Sequence, residues 1–377
     1  MIINKATILT NYFVSTMLPF GIGMFLMAAS FTSLRGSSGT GPLEALLYLS
    51  LLLMIFFKVI NKFDFKYIAL LPLVYLIIFM APITFLNTAL DLMGSSIRTL
   101  IALISGGIAA FAIANSNEDE KVYIAYGMFA VLAIAVSVIL VQYDFQTVSR
   151  LLFLSNNPNQ IALYSLGAMF LFSISFNKPF ILFSSIVAAF IYGSLALSDS
   201  FLLAVIIAVS FLVLEFLLKG RLIFLLAIFW VILLLTASQL AYPDNSFVRP
   251  LLDLWASADE GGTRITLATN GLSAFFASPI FGNGAGAFSG TVIPFTRYEA
   301  HNTIIDFLTM GGIPWVLIVY FPFVLAIKVL FEQGNTFALG LLVAFCIFSF
   351  FHFVGRHPIF WFVWGYCISM FLSKRRE

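Results

Sequence analysis

Residues 122–142 read VYIAYGMFAVLAIAVSVILVQ, preceded by Glu118-Asp119-Glu120-Lys121 and followed closely by Asp144. No charge interrupts the stretch. Its length matches the roughly 20 apolar residues a helix needs to cross a hydrocarbon core. Working outward, runs of the same kind lie near 11–31, 42–60, 67–86, 97–115, 159–176 and 180–197. They continue near 201–218, 222–241, 302–327, 337–354 and 358–373. Each is bounded by charges or turn residues. The run over 180–218 makes two spans only if Ser198-Asp199-Ser200 forms a tight turn.

Twelve such helices need about 240 residues, which fits a chain of 377 that is 61% hydrophobic. Charged residues make up only 10%, where soluble domains carry about 25%. With a mean hydropathy of +1.05 there is too little polar surface to coat a water-soluble core. The expected fold is all-α: a polytopic membrane protein of about twelve transmembrane helices. The net charge of +2 is too small to suggest nucleic acid. Cys346 and Cys367 lie in apolar stretches and read as small buried hydrophobes. Residues 11–30 read as the first span rather than a signal peptide, since no small-residue cleavage site follows them. No internal repeat or linker divides the chain, so 1–377 reads as one transmembrane domain.

An even number of spans puts both termini on one side. With the N-terminus inside, the inner segments hold all nine lysines and Arg221, Arg375 and Arg376. The outer segments hold Arg35, Arg98, Arg150, Arg249, Arg264, Arg297 and Arg356. Of the 19 basic residues, twelve are then inside and seven outside, as the positive-inside rule requires. The outer set is all arginine. That is either a topological accident or an extracytoplasmic anion site, because arginine holds phosphate or carboxylate in two-point contact where lysine does not.

The one long loop, 242–300, faces outward in this arrangement. Its middle, Thr263 to Ser278, reads as a helix with Ile265, Ala268, Leu272, Phe275 and Phe276 on one face. That suits a lid lying on the membrane or on the bundle. Arg264 falls in its first turn, where free N–H groups favour anions. Gly282-Asn283-Gly284-Ala285-Gly286 is a poor nucleotide loop, since no strand precedes it. It reads instead as a tight, backbone-exposed turn. His301-Asn302 opens the tenth span, with Glu299 two residues before it and Asp306 about one turn deeper. A histidine here is either an ordinary interfacial residue or a general base. His352 and Arg356, followed by His357-Pro358, either line the same cavity or form a plain interfacial cluster. Glu215 and Lys219 read as a snorkelling pair at the inner end of the eighth span. There is no HExxH, no Cys/His cluster, no P-loop, and no acidic residue in the first outer loop, 32–41. A metal-dependent mechanism is therefore not expected, nor any cofactor.

Asn157-Pro158-Asn159, then Gly261 to Arg264 and Ser278 to Gly284, then His301-Asn302 with Gly312 to Pro314 form an ordered set, and in order and spacing this set resembles the O-antigen ligase and polymerase family. Asn157-Pro158-Asn159 is similar to its NPN signature. Gly261-Gly262-Thr263-Arg264, then Ser278-Pro279-Ile280-Phe281-Gly282-Asn283-Gly284, resembles its outer loop. His301-Asn302, nine residues, then Gly312-Ile313-Pro314 resembles its HN-x9-GxxG motif. The match covers about residues 150–325. Two positions depart from it: Trp315 stands for the last glycine of GxxG, and Ser200 is followed by Phe201 where the family often has Ser-Arg. Arg150 is a candidate replacement for that arginine.

The resemblance implies a GT-C-like glycosyltransferase architecture with 242–300 as a large periplasmic loop. It implies metal-independent glycosyl transfer on the periplasmic face of the bacterial inner membrane, from a glycan on undecaprenyl diphosphate. His301, Arg264 and Glu299 would be catalytic. Arg150, Asn157, Asn159, Arg297, Asn302 and Arg356 would bind diphosphate and glycan. The partners implied are lipid-linked oligosaccharide as donor and acceptor, membrane lipids, and a chain-length regulator protein. Three functions compete: a repeat-unit polymerase, a ligase acting on lipid A-core, and a transporter or flippase of lipid-linked oligosaccharide. The missing repeat and the lack of broken helices in symmetric positions count against the transporter.

Overall fold

The computed structural model describes residues 12–31, 41–61, 63, 65–142, 155, 157–196, 198–218, 258–293 and 295–374. Within these, the side chains of 142, 199, 214–218, 258–262, 264 and 374 are not described. All the regular secondary structure among the described residues is helical. Its helices are α1 (Phe13–Ala28), α2 (Pro42–Ile60), α3 (Tyr67–Asn87), α4 (Met93–Ala114), α5 (Glu118–Gln142) and α6 (Pro158–Ser175). They continue with α7 (Pro179–Ser194), α8 (Asp199–Leu218), α9 (Ala258–Ala277), α10 (Thr303–Glu332), α11 (Thr336–Phe348) and α12 (Pro358–Lys374). Five of them, α2, α3, α4, α5 and α10, are long and apolar enough to cross a membrane. Six more are shorter apolar helices. The expected ninth span, 222–241, and the Glu215–Lys219 pair lie outside the described residues and side chains.

Local sequence sets the boundaries. Proline at the first helical position opens α2, α6 and α7, where its missing N–H costs nothing. Asn335 caps α11 by accepting from Ala338 N–H at 3.2 Å. The turn after Ser194 is short, so the run over 180–218 makes two helices.

α12 is the axis of the bundle. From Ile359 to Cys367 every residue is buried, the mark of a helix enclosed on all sides. It packs against α4, α6 and α10. Gly106 of α4 leaves room for the Trp361 ring, which a Cβ would approach to 2.2 Å. α1 and α5 meet through small residues: a Cβ on Gly127 would lie 2.0 Å from the Phe20 carbonyl oxygen. Close backbone approach of this kind is how helices associate in lipid. The outer faces are equally apolar, with Ile77, Ile134, Leu317 and Val324 all exposed. Only acyl chains solvate such a surface without cost, so this is a membrane-embedded helical protein.

The two ends of the bundle differ in chemistry. At one end Lys58, buried, donates to Glu120 and to the Asn115 carbonyl, both at 2.6 Å. Lys121 and Lys66 both donate to Ser369 Oγ there. The opposite end carries Arg297, His301, His352, Arg356 and His357.

α10 is broken. Gly312 has φ 68° and ψ −169°, a region open only to glycine. Pro314 offers no N–H to the Met310 carbonyl, and Ile313 N–H turns aside to the Pro279 carbonyl at 2.9 Å. The freed carbonyls are taken up by the segment after α9. Asn283 N–H donates to Thr309 O at 2.8 Å and Gly284 N–H to Met310 O at 2.9 Å. Tyr75 of α3 donates to Gly311 O. Ala285 N–H donates to Thr84 Oγ1 at 2.8 Å. Irregular backbone at membrane depth survives only where protein satisfies it.

The glycine turn at 282–286 is therefore not the exposed turn expected from sequence. Gly282, Gly284, Ala285 and Gly286 are buried. A Cβ on Gly282 would meet Met310 O at 2.4 Å, and one on Gly284 would meet Thr84 Cα at 2.6 Å. Trp315 fills the core beside the break, stacked on Tyr75 at 5.5 Å.

The lid helix also differs from expectation. It begins at Ala258, so Arg264 lies in its second turn and not at the free N–H groups of the first. Its apolar residues do not share one face. Leu267, Gly271 and Phe275 are buried against α10, where Thr309 Oγ1 donates to Gly271 O at 3.1 Å. Ile265, Leu272 and Phe276 are exposed.

Candidate functional site

The start of α10 is heavily determined. Asn302 accepts from Ile304 N–H at 3.0 Å and Ile305 N–H at 3.2 Å, satisfying two of the unpaired donors at the helix end. The buried Asp306 accepts Ala300 N–H at 2.9 Å on Oδ1. His301 sits between these two anchored residues with φ 53° and an exposed side chain. A non-glycine residue held in this region costs about 1–3 kcal/mol and persists only where its surroundings over-determine it. Here the anchors on both sides do so, and the imidazole stands at the surface of the site end.

The loop between α11 and α12 is stitched to the same place. Thr303 N–H donates to Ser349 O at 2.9 Å, and its hydroxyl donates to His352 O while accepting Val354 N–H at 2.9 Å. Arg356 pairs with Glu299. From the neighbouring helices, Ser200 Oγ lies 2.9 Å from His352 Nε2, and Gln160 Nε2 lies 3.3 Å from His357 Nδ1. Asn157 caps α6, accepting Asn159 N–H at 2.9 Å, and Asn159 Oδ1 accepts from Ser198 Oγ at 2.8 Å. Asn157, Asn159, Glu299, His301, Asn302 and Arg356 thus share one end of the bundle. The two asparagines of the NPN segment already have structural duties there.

Arg297 is half-buried a little to the side. Its guanidinium donates to Ser96 Oγ at 2.8 Å, Thr88 Oγ1 at 3.3 Å and the Asn87 carbonyl at 3.3 Å. Burial pulls its pKa below the usual value, and the charge of Asp91 opposes that shift. Arg98 donates to the Gly94 carbonyl of its own helix. So Arg98, Arg297 and Arg356 each have a protein oxygen as partner. Arg150 and the side chain of Arg264 lie outside the description.

The sequence reading missed the Ser200–His352 and Gln160–His357 contacts. Ser200 stood out for its place in the Ser198-Asp199-Ser200 turn and for lacking an arginine after it, and Gln160 adjoined the NPN segment unremarked. Two buried oxygens, Gln160 Oε1 and Asp306 Oδ2, have no hydrogen-bond partner among the described residues. Nor, among those residues, do three His, Cys, Asp or Glu side chains gather where they would hold a metal ion. An exposed histidine with a carboxylate and a guanidinium close by in the fold suits proton transfer and anion contact.

Fold and site together define a helical membrane protein with a histidine-centred polar site at one end of its bundle. No protein-family model matches the chain, and no curated protein matches it.

Proposed function

We propose that this chain is a polymerase of O-antigen or a related surface polysaccharide, acting on the periplasmic face of a bacterial inner membrane. In this reading it has twelve spans, a GT-C-like architecture, both termini in the cytoplasm, and 242–300 on the periplasmic side. The observation that carries the reading is the meeting, at one end of the bundle, of residues from the ordered motifs: Asn157 and Asn159, then His301 and Asn302. Among the described residues, Lys58, Lys66 and Lys121 at one end and Arg297 and Arg356 at the other support the orientation.

The acceptor sugar hydroxyl attacks the anomeric carbon of the donor glycan. His301 takes the hydroxyl proton. The bond from that carbon to the diphosphate oxygen breaks, and undecaprenyl diphosphate leaves with the electron pair. Arginine, with Arg264 foremost, stabilises the leaving charge. Glu299 and Arg356 hold the histidine loop against the α11–α12 loop.

A ligase acting on lipid A-core would use the same groups, so the acceptor decides between the two. Two lipid diphosphates need at least two charge-assisted contacts each, which favours the polymerase for a chain with seven outer arginines. Arg98, Arg297 and Arg356 already have protein partners, so this support now falls on Arg35, Arg150, Arg249 and Arg264. Deleting the gene and resolving the strain's glycolipids on gels tests the reading. The polymerase predicts lipopolysaccharide, or its equivalent, capped with a single repeat unit. Uncapped core with long polymer retained on undecaprenyl diphosphate would establish the ligase instead. An unchanged glycolipid pattern would reject both.

A further inference from the structure

Helix α9 has three faces where an ordinary amphipathic helix has two. Leu267, Gly271 and Phe275 form the buried stripe against α10. Thr263, Thr266, Asn270 and Ser273 form a polar stripe. Ile265, Thr269, Leu272 and Phe276 form a third, which is exposed and mostly apolar; Ile265 is 69% and Phe276 72% accessible. At about 100° per residue the stripe centres fall roughly 100–130° apart. A helix on a soluble surface has no use for the third stripe. One resting where protein, water and lipid meet needs all three.

The exposed stripe runs on into Ile280 and Phe281, which are 58% and 48% accessible. Phe281 stacks on Phe79 of α3, with ring centroids 6.0 Å apart and planes at 17°. Phe79 lies eight residues before the end of α3 at Asn87, about 12 Å along the axis. The same segment bonds to Thr309 of α10, six residues in from Thr303, or about 9 Å. Along both helices, the Phe281 turn thus lies about 9–12 Å in from the terminus at the site end. Phe79 continues into Ile77 and Ile78, exposed on the outer face of a membrane-spanning helix.

We infer that α9 lies in the plane of the membrane at the site end, with Ile265, Leu272, Phe276, Ile280 and Phe281 in contact with lipid acyl chains. The occupant is the bilayer, because the stripe is continuous with the lipid-facing side of α3. The inference stands apart from any glycosyl-transfer chemistry.

Single cysteines at 265, 266, 267, 272, 273, 275, 276 and 280 would carry a nitroxide in the full chain. The chain is reconstituted in phosphatidylethanolamine–phosphatidylglycerol vesicles, and collision rates are measured with oxygen and with a water-soluble nickel chelate. A control without an added cysteine removes any label on Cys346 and Cys367. Positions 265, 272, 276 and 280 should favour oxygen several-fold. Positions 266 and 273 should favour nickel, and 267 and 275 should be poorly accessible to both. Nickel access at 272 and 276 equal to that at 266 and 273 would put the stripe in water. Low access there to both reagents would put protein over it, as in a second copy of the chain. Either result overturns the inference.

Discussion

Replacing Gly312 with alanine tests whether the break in α10 is fixed by contact or by backbone conformation alone. The backbone there, φ 68° and ψ −169°, costs a side-chain-bearing residue about 1–3 kcal/mol. The new Cβ would also sit 2.3 Å from the Ile280 carbonyl oxygen and 2.7 Å from that of Pro279. These are backbone atoms, unable to swing away as a side chain would. Overpacking of this kind adds about 1–3 kcal/mol, giving a total of about 2–6 kcal/mol. Gly334 provides the control. Its φ is 66°, but nothing lies within 4 Å of its virtual Cβ, so Gly334→Ala should cost only the left-handed penalty of about 1–2 kcal/mol. Both variants are heated in detergent with a thiol-reactive dye that reports exposure of the buried Cys367. Gly312→Ala should unfold at a clearly lower temperature than Gly334→Ala. Equal unfolding temperatures would mean that the 279–286 segment is not wedged against the break, and the account of α10 would fall.

His301→Ala and Arg264→Ala should each abolish most of the proposed transfer in an assay of polymer formed per folded protein. Arg264→Lys should recover little, because a point charge does not replace a two-point fork, and EDTA should leave the wild type active. Asp306→Leu strands the buried Ala300 N–H at a cost of about 1–3 kcal/mol and loosens the His301 turn. The same assay should lose at least about tenfold, while Asp306→Asn, which keeps the acceptor, stays near wild type. At the lysine end, Glu120→Gln leaves the Lys58 ammonium buried without its carboxylate. Thermal melts should show a loss of about 3–5 kcal/mol, with the Lys58→Met/Glu120→Leu double variant more stable than Glu120→Gln.

Helix positions were legible in the sequence because charges and prolines fence the apolar runs. Glu118-Asp119-Glu120 opens α5, and Pro158, Pro179 and Pro358 open α6, α7 and α12. The break in α10 was visible only as a string of letters, Gly311-Gly312-Ile313-Pro314. What it does depends on amides and a hydroxyl far away in the chain, and no periodicity encodes those. The faces of α9 were misjudged for a related reason. Sorting residues into apolar and polar assumes two environments, and this helix has three. At the site, His301 and Asn302 stood out by residue type and position. The contacts that bind the site together, Glu299 with Arg356 and Gln160 with His357, join residues 57 and 197 positions apart. Sequence from one chain cannot pair them.

The mended break in α10 also has an order in time. Every group that covers its carbonyls precedes it in the chain: the Tyr75 hydroxyl and the amides of Asn283 and Gly284. As α10 leaves the ribosome and enters the bilayer, its partners are already there, so the exposed carbonyls need never face lipid alone. The site end of α10 has the opposite history. Thr303 waits for Ser349, His352 and Val354, and Glu299 waits for Arg356, all made later. A nascent chain halted at the end of α11 would therefore hold its glycine turn in place while the rim around His301 still stood open. The loop between α11 and α12 is what closes it.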